Sequence, residues 1–166
     1  MTPPIPTRAE FSTMLALPPA WLRESLIGLN EDECKATPFA GKWSYRGMID
    51  HIVSADLDWT DILYRAVRPL RPQHEVWDPN WRADFDRRRQ AGDINTAIDV
   101  MADNHAQFST WIHQLNDEDF LHPFPGVLWL IKAGLSVVIA DSGRWGLYLH
   151  PFHHLAYLQR HRVALG

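Results

Sequence analysis

SYRGMIDHIVSADLDWTDILYRA, residues 44–66, reads as one long amphipathic helix. Met48, His51/Ile52, Ala55, Trp59, Ile62/Leu63 and Ala66 recur with the 3.6-residue period of a single helix face. Ser44 suits the N-cap, where its hydroxyl can accept from a backbone N–H that the first turn leaves without a partner. The stripe ends before Pro69. His51 therefore falls on the apolar face, while Asp50, Asp56 and Asp58 fall mostly towards its flanks.

Working outward from that helix gives three more. Thr7 can cap a first helix through Phe11, Met14 and Leu15, which Pro18-Pro19 interrupts; a helix can restart there and run to about Leu29, because proline is tolerated in a first turn. Asn30–Lys42 is acidic, then proline- and glycine-containing, and reads as a loop. Pro69–Gly92 reads as a connector, with Trp77, Trp81 and the basic triplet Arg87-Arg88-Arg89. Asp84 and Asp86 precede that triplet, so it reads as a solvated face. Asp93 can cap a helix whose stripe is Ile94, Ala97/Ile98, Met101, His105, Phe108, Ile112 and Leu115. Asn116–Pro125 is a turn region. Val127–Ala140 reads either as a buried helix or as a hairpin turning at Lys132-Ala133-Gly134, since β-branched residues crowd after the glycine.

Asp141 or Ser142 can cap the last helix, on which Leu147, His150, His154, Leu158 and His161 share a face. Pro151 either kinks a long helix or occupies the first position of one capped by His150; the kinked long helix is preferred. The expected fold is all-α, a four-helix bundle, with a small irregular or hairpin insertion before the last helix. Met1–Pro6 is read as an extended or disordered arm.

The bulk numbers fit one domain spanning 1–166 of the 166-residue chain. A net charge of −4 gives no general attraction to nucleic acid or anionic membrane. Eight tryptophans suit a wide core or an aromatic pocket. Cys34, the single cysteine, excludes an internal disulfide and fits a reducing compartment. Its acidic neighbours disfavour the thiolate, so it is a poor nucleophile. The longest apolar run is too short and too broken to span a bilayer, and no signal-peptide layout begins the chain. A soluble, cytoplasmic protein is expected.

The chemistry-bearing residues are histidines. His150 and His154 lie four apart, which puts both imidazoles on one helix face. Neutral imidazole is a common ligand for zinc, nickel and related ions. His51 is the best candidate for a third ligand. Alone, it would read as a hydrogen-bonded core histidine; the paired histidines on another helix change that balance. His153 points away from His154 and reads as a group facing substrate or supporting the ligands. His105 reads as a satisfied core histidine that could also line the pocket or complete a metal shell. His161 is too far along the helix to share an ion, and His74, His113 and His122 have no evident partner. No Ser-His-Asp order, phosphate loop, zinc-finger cysteine set or organic-cofactor motif is present. The catalytic base is unknown; Asp50, Asp56 and Tyr157 are candidates whose structural roles are the simpler reading.

Gly41-Lys42-Trp43-Ser44 followed by His51, together with His150-x-x-x-His154-Leu155, resembles the signature of the DinB/YfiT-like metalloenzymes. The resemblance runs from about Phe11 to Arg162 and is weakest over 69–92 and 127–148. It implies a four-helix bundle with a three-histidine site, His51, His150 and His154, for a divalent metal ion, typically nickel or zinc. Pro151 and Tyr157 depart from the pattern, the latter standing where glutamine is common. Relatives with known chemistry include transferases and isomerases that use low-molecular-weight thiols.

The resulting expectation is a metal-dependent transferase or hydrolase, by resemblance a thiol-dependent S-transferase or isomerase. It would act on a small molecule without nucleic-acid or membrane partners, and could form a homodimer. The rival reading is a non-catalytic metal- or small-ligand-binding stress-response module. DNA binding is disfavoured by the acidic balance and the lack of a basic stripe.

Overall fold

A computed structural model describes residues 7–67, 78, 80–120 and 149–165. These residues form helices α1 (Arg8–Leu26), α2 (Glu31–Lys35), α3 (Tyr45–Val67), α4 (Trp81–Ala91), α5 (Ile94–Gln114), α6 (Asp117–Phe120) and α7 (Leu149–Leu165), and no strand. The caps expected from sequence are in place. Thr7 and Glu10 form a reciprocal capping box, Ser44 Oγ accepts from the Gly47 N–H at 3.0 Å, and Asp93 accepts from the Thr96 N–H at 2.8 Å.

Helix α1 packs on α5 and α7, and α3 packs on the same two, so the four long helices close a bundle with α1 opposite α3. Phe11, Leu15, Ile49, Ile52, Ile98, Phe108 and Trp111 are fully buried at its centre. Each such side chain contributes roughly 1.5–3 kcal/mol through removal from water. Of the α3 stripe, Met48, Ile52, Trp59 and Leu63 are buried, whereas Ile62 is exposed. The α5 stripe is buried along its length. Arg162 of α7 and Tyr45 of α3 both donate to the Ser25 carbonyl in the last turn of α1. This satisfies an orphan acceptor and brings a cation to the negative helix end.

Three expectations need correction. Pro18-Pro19 does not interrupt the first helix, which runs through both prolines to Leu26. The prolines remove the N–H groups that would bond to the Met14 and Leu15 carbonyls. The Leu15 carbonyl is instead bonded by His105 Nδ1–H of α5 at 2.6 Å, and both prolines are buried against the bundle. A tertiary contact thus makes good part of the helical defect. Within the expected loop, Asn30 and Glu33 form a capping box that starts α2. Within the expected connector, Trp81 and Phe85, four apart, anchor α4.

The basic triplet lies on α4 with each arginine paired to an acid: Arg87 to Asp84, Arg88 to Asp103, and Arg89 to Asp86 and Asp50. Leu149 and His150 are already helical, so His150 is not the cap of the last helix. Its expected start at Asp141 or Ser142, the insertion at Val127–Ala140, the N-terminal arm, Trp77, His74 and His122 lie outside the described residues. No described helix is long and apolar enough to cross a membrane.

Candidate metal centre

His51 comes from the second turn of α3, and His150 and His154 come from successive turns at the start of α7. The contact of these two helices brings the three rings together. Each offers one ring nitrogen, and the three nitrogens lie within 4.8 Å of one another. The Nε2 atoms of His150 and His154 are 3.1 Å apart. The His51 ring is edge-on to both, with centroids 5.2 Å from each. Among the described residues, no carboxylate belongs to the cluster.

Burial pushes the His51 imidazole below its ordinary value. It does the same to His154, helped by repulsion from His51 and His153. For His150, burial and then the neighbouring His154, His51 and His153 push it down to about 4. Both causes, burial and repulsion, favour the neutral ring, the form with a lone pair to donate. Converging neutral nitrogens, with no carboxylate in the cluster among the described residues, are a donor set suited to a divalent cation such as zinc or nickel. The residues therefore fit the metal that the resemblance implies. His150 is buried, whereas His51 and His154 are half-buried, so the cluster keeps one side towards solvent.

The approach to this cluster is set by the Gly41-Lys42-Trp43-Ser44 loop. Gly41 has φ +68°, a conformation that costs an L-residue roughly 1 kcal/mol. It is the third residue of a turn closed by Lys42 N–H donating to the Phe39 carbonyl at 3.1 Å. Beyond the turn, the Trp43 ring sits edge-on to His51 with centroids 4.6 Å apart. Its carbonyl accepts from Tyr157 Oη–H at 2.8 Å and from His161 Nε2–H at 3.2 Å, both on α7. Helix α7, which carries His150 and His154, thus also fixes the loop that walls His51 on α3.

This tether was missed in the sequence, although His161 shares the helix face of His150 and His154. Its signal was that spacing together with the tryptophan of the loop. Tyr157, considered as a base, donates to a carbonyl instead.

The remaining candidates separate from the cluster. Asp50 is paired with Arg46 at 2.9 Å. Asp56 does not lie on a solvated flank: it is buried and accepts from His105 Nε2–H at 2.6 Å and from Asn104 Nδ2–H at 2.7 Å. His105 is therefore a satisfied core histidine. His153 is exposed. His113 has a partner after all, with Nε2 2.8 Å from Ser12 Oγ. Cys34 is buried, and burial followed by the Glu31 and Glu33 charges raises its thiol, so it remains a poor nucleophile.

A family profile described as the DinB superfamily matches residues 19–158. The chain belongs to the DinB superfamily. That span covers His51, the paired histidines of α7 and the loop that joins them, all within the helical bundle of this DinB-superfamily member. No curated protein and no solved structure matches the chain.

Proposed function

We propose that this DinB-superfamily chain is a metal-dependent enzyme. His51, His150 and His154 hold a divalent ion, zinc or nickel, and the substrate includes a low-molecular-weight thiol that is transferred or used in isomerisation. The observation that carries this reading is the convergence of three neutral ring nitrogens from two helices on a partly open site. Three protein ligands with one side open is the arrangement of catalytic rather than structural zinc. When bound, the ion supplies Lewis acidity that favours thiolate over thiol.

The protein residues perform the remaining tasks. Burial keeps the imidazoles unprotonated near neutral pH. Trp43 excludes water from one side of His51, and Tyr157 with His161 holds that wall in position. The same reading makes the partner a small molecule and not nucleic acid, consistent with an arginine triplet already neutralised by acids.

The test is elemental analysis of untagged protein beside a His51→Ala/His154→Ala variant. About one zinc or nickel per chain is expected, lost in the variant while the helical content stays. Metal-reconstituted wild type should transfer a thiol to an electrophile, and the variant should not. Absence of metal after reconstitution would remove the reading. Unfolding of the wild type on chelation would instead make the site a structural clip in a non-catalytic module.

A further inference from the structure

Every lysine and arginine of α1 to α4 pairs with a carboxylate among the described residues. On α7, Arg162 donates to the Ser25 and Ile27 carbonyls. Two described cations have neither an acidic nor a hydrogen-bonded side-chain partner: Lys42 and Arg160. In a chain of net charge −4, these two line the same cavity of about 280 Å³. Its other described walls are Phe39, Ala40 and Tyr157, and no acid is among them. Unpaired cations against aromatic walls make a concave positive site among described cations that are otherwise paired or hydrogen-bonded.

The cavity is connected to the histidine cluster through Trp43 and Tyr157. Lys42 directly precedes Trp43, whose ring packs on His51. Arg160 lies one turn beyond Tyr157, whose hydroxyl holds the Trp43 carbonyl. Arg160 is six residues after His154, which is roughly 9 Å of helical rise. Those six residues also turn about 120° around the helix, so a molecule with one end at the histidines and the other in this cavity would span more than that rise. Guanidinium offers a planar fork matched to a carboxylate, and ammonium adds a point charge.

We infer that Lys42 and Arg160 form an anion subsite that receives a carboxylate of the thiol substrate while its sulfur faces His51, His150 and His154. The inference rests on the thiol reading above and narrows it. The substrate class is a small acidic thiol with its carboxylate about two helical turns from the sulfur, and uncharged thiols are poor substrates.

The test is isothermal titration calorimetry of metal-reconstituted protein with glutathione and with its diethyl ester, which keeps the thiol and removes the carboxylate charges. Wild type should bind the acid roughly tenfold more tightly than the ester, the scale of two exposed charge-assisted contacts, and salt should shrink the difference. In a Lys42→Gln/Arg160→Gln variant the ratio should fall to about one, with thermal stability unchanged because both side chains are exposed. Equal affinities in wild type, an undiminished ratio in the variant, or no binding of any probe would overturn the subsite.

A further arm isolates it from the metal. The His51→Ala/His154→Ala protein is titrated with S-methylglutathione and its diethyl ester, neither of which has a free thiol. A salt-sensitive preference for the acid that survives there, in a chain whose wild type holds no metal, would leave the subsite standing and discard the metal centre. A preference lost there, in a chain whose wild type does hold metal, would discard the subsite alone.

Discussion

Two groups of buried histidine in this bundle have opposite electrostatics. Around His105, both ring nitrogens face acceptors: Nδ1 the Leu15 carbonyl and Nε2 the Asp56 carboxylate. A ring that donates from both nitrogens is an imidazolium. Burial lowers its pKa, but the Asp56 charge, its hydrogen bond and the Leu15 carbonyl outweigh burial and raise it. Around His150 a ring nitrogen of each of the three histidines lies close to the others, no acid belongs to the cluster among the described residues, and the pKa falls. The first arrangement completes an ion pair within the protein. The second offers its nitrogens to a cation from outside, as proposed above. Residue type says little about a histidine's role; the groups facing its two nitrogens decide it.

The contrast breaks most visibly if Asp56 is removed. Asp56→Ala leaves His105 and Asn104 facing a buried gap, and the cost should be about 3–5 kcal/mol by urea denaturation. A cost under about 1 kcal/mol would mean that water or rearrangement replaces the carboxylate and that the pair is not structural.

The pH dependence should follow the same network. A raised folded-state pKa means that the native chain holds a proton the unfolded chain has lost. The stabilisation is therefore full below the ordinary value of 6.5 and declines as pH rises through the folded-state value. Asp56 and the Leu15 carbonyl face the ring, with Asn104 and Thr60 behind the carboxylate. His105→Gln should flatten the decline above neutrality. An unchanged slope would assign it to other groups.

Smaller effects are expected at the other cluster. In metal-free protein, His154→Ala removes a half-buried ring with no acidic partner, and should change stability by no more than about 1 kcal/mol. A loss like that of Asp56→Ala would make the two clusters alike and both structural. Tyr157→Phe should be the mildest, under about 1 kcal/mol, because His161 still donates to the Trp43 carbonyl. Its expected signature is metal affinity weakened severalfold by a loosened Trp43 wall, measured by competition with a chelator. Unaltered affinity would confine the tether to folding.

What was legible in the sequence was periodic. The stripe of α3 exposed its helix and the buried position of His51, and the four-residue spacing of His150 and His154 exposed their shared face. His51 was already the best candidate to join them, and the family resemblance strengthened that pairing, because no local rule specifies which helices meet. What escaped depended on tertiary partners. Asp56 looked like a flank residue because its countercharge, His105, is on another helix. Pro18-Pro19 looked like a break because the donor that rescues the Leu15 carbonyl is also on α5. Helix α4 was hidden because Trp81 and Phe85 are its buried residues, and much of its remaining surface is tied down by ion pairs such as Arg82 with Asp58 and Asp86.

Trp43 has a consequence for observation as well as for structure. Its indole, 48 % exposed, stands edge-on to His51 with 4.6 Å between ring centres. An emitter at that distance from the cluster is a built-in optical probe. An open-shell ion such as nickel would drain its excited state, whereas closed-shell zinc would leave it bright. With Trp43→Phe as the blank against the other tryptophans, the protein's own light would report which ion it has taken up.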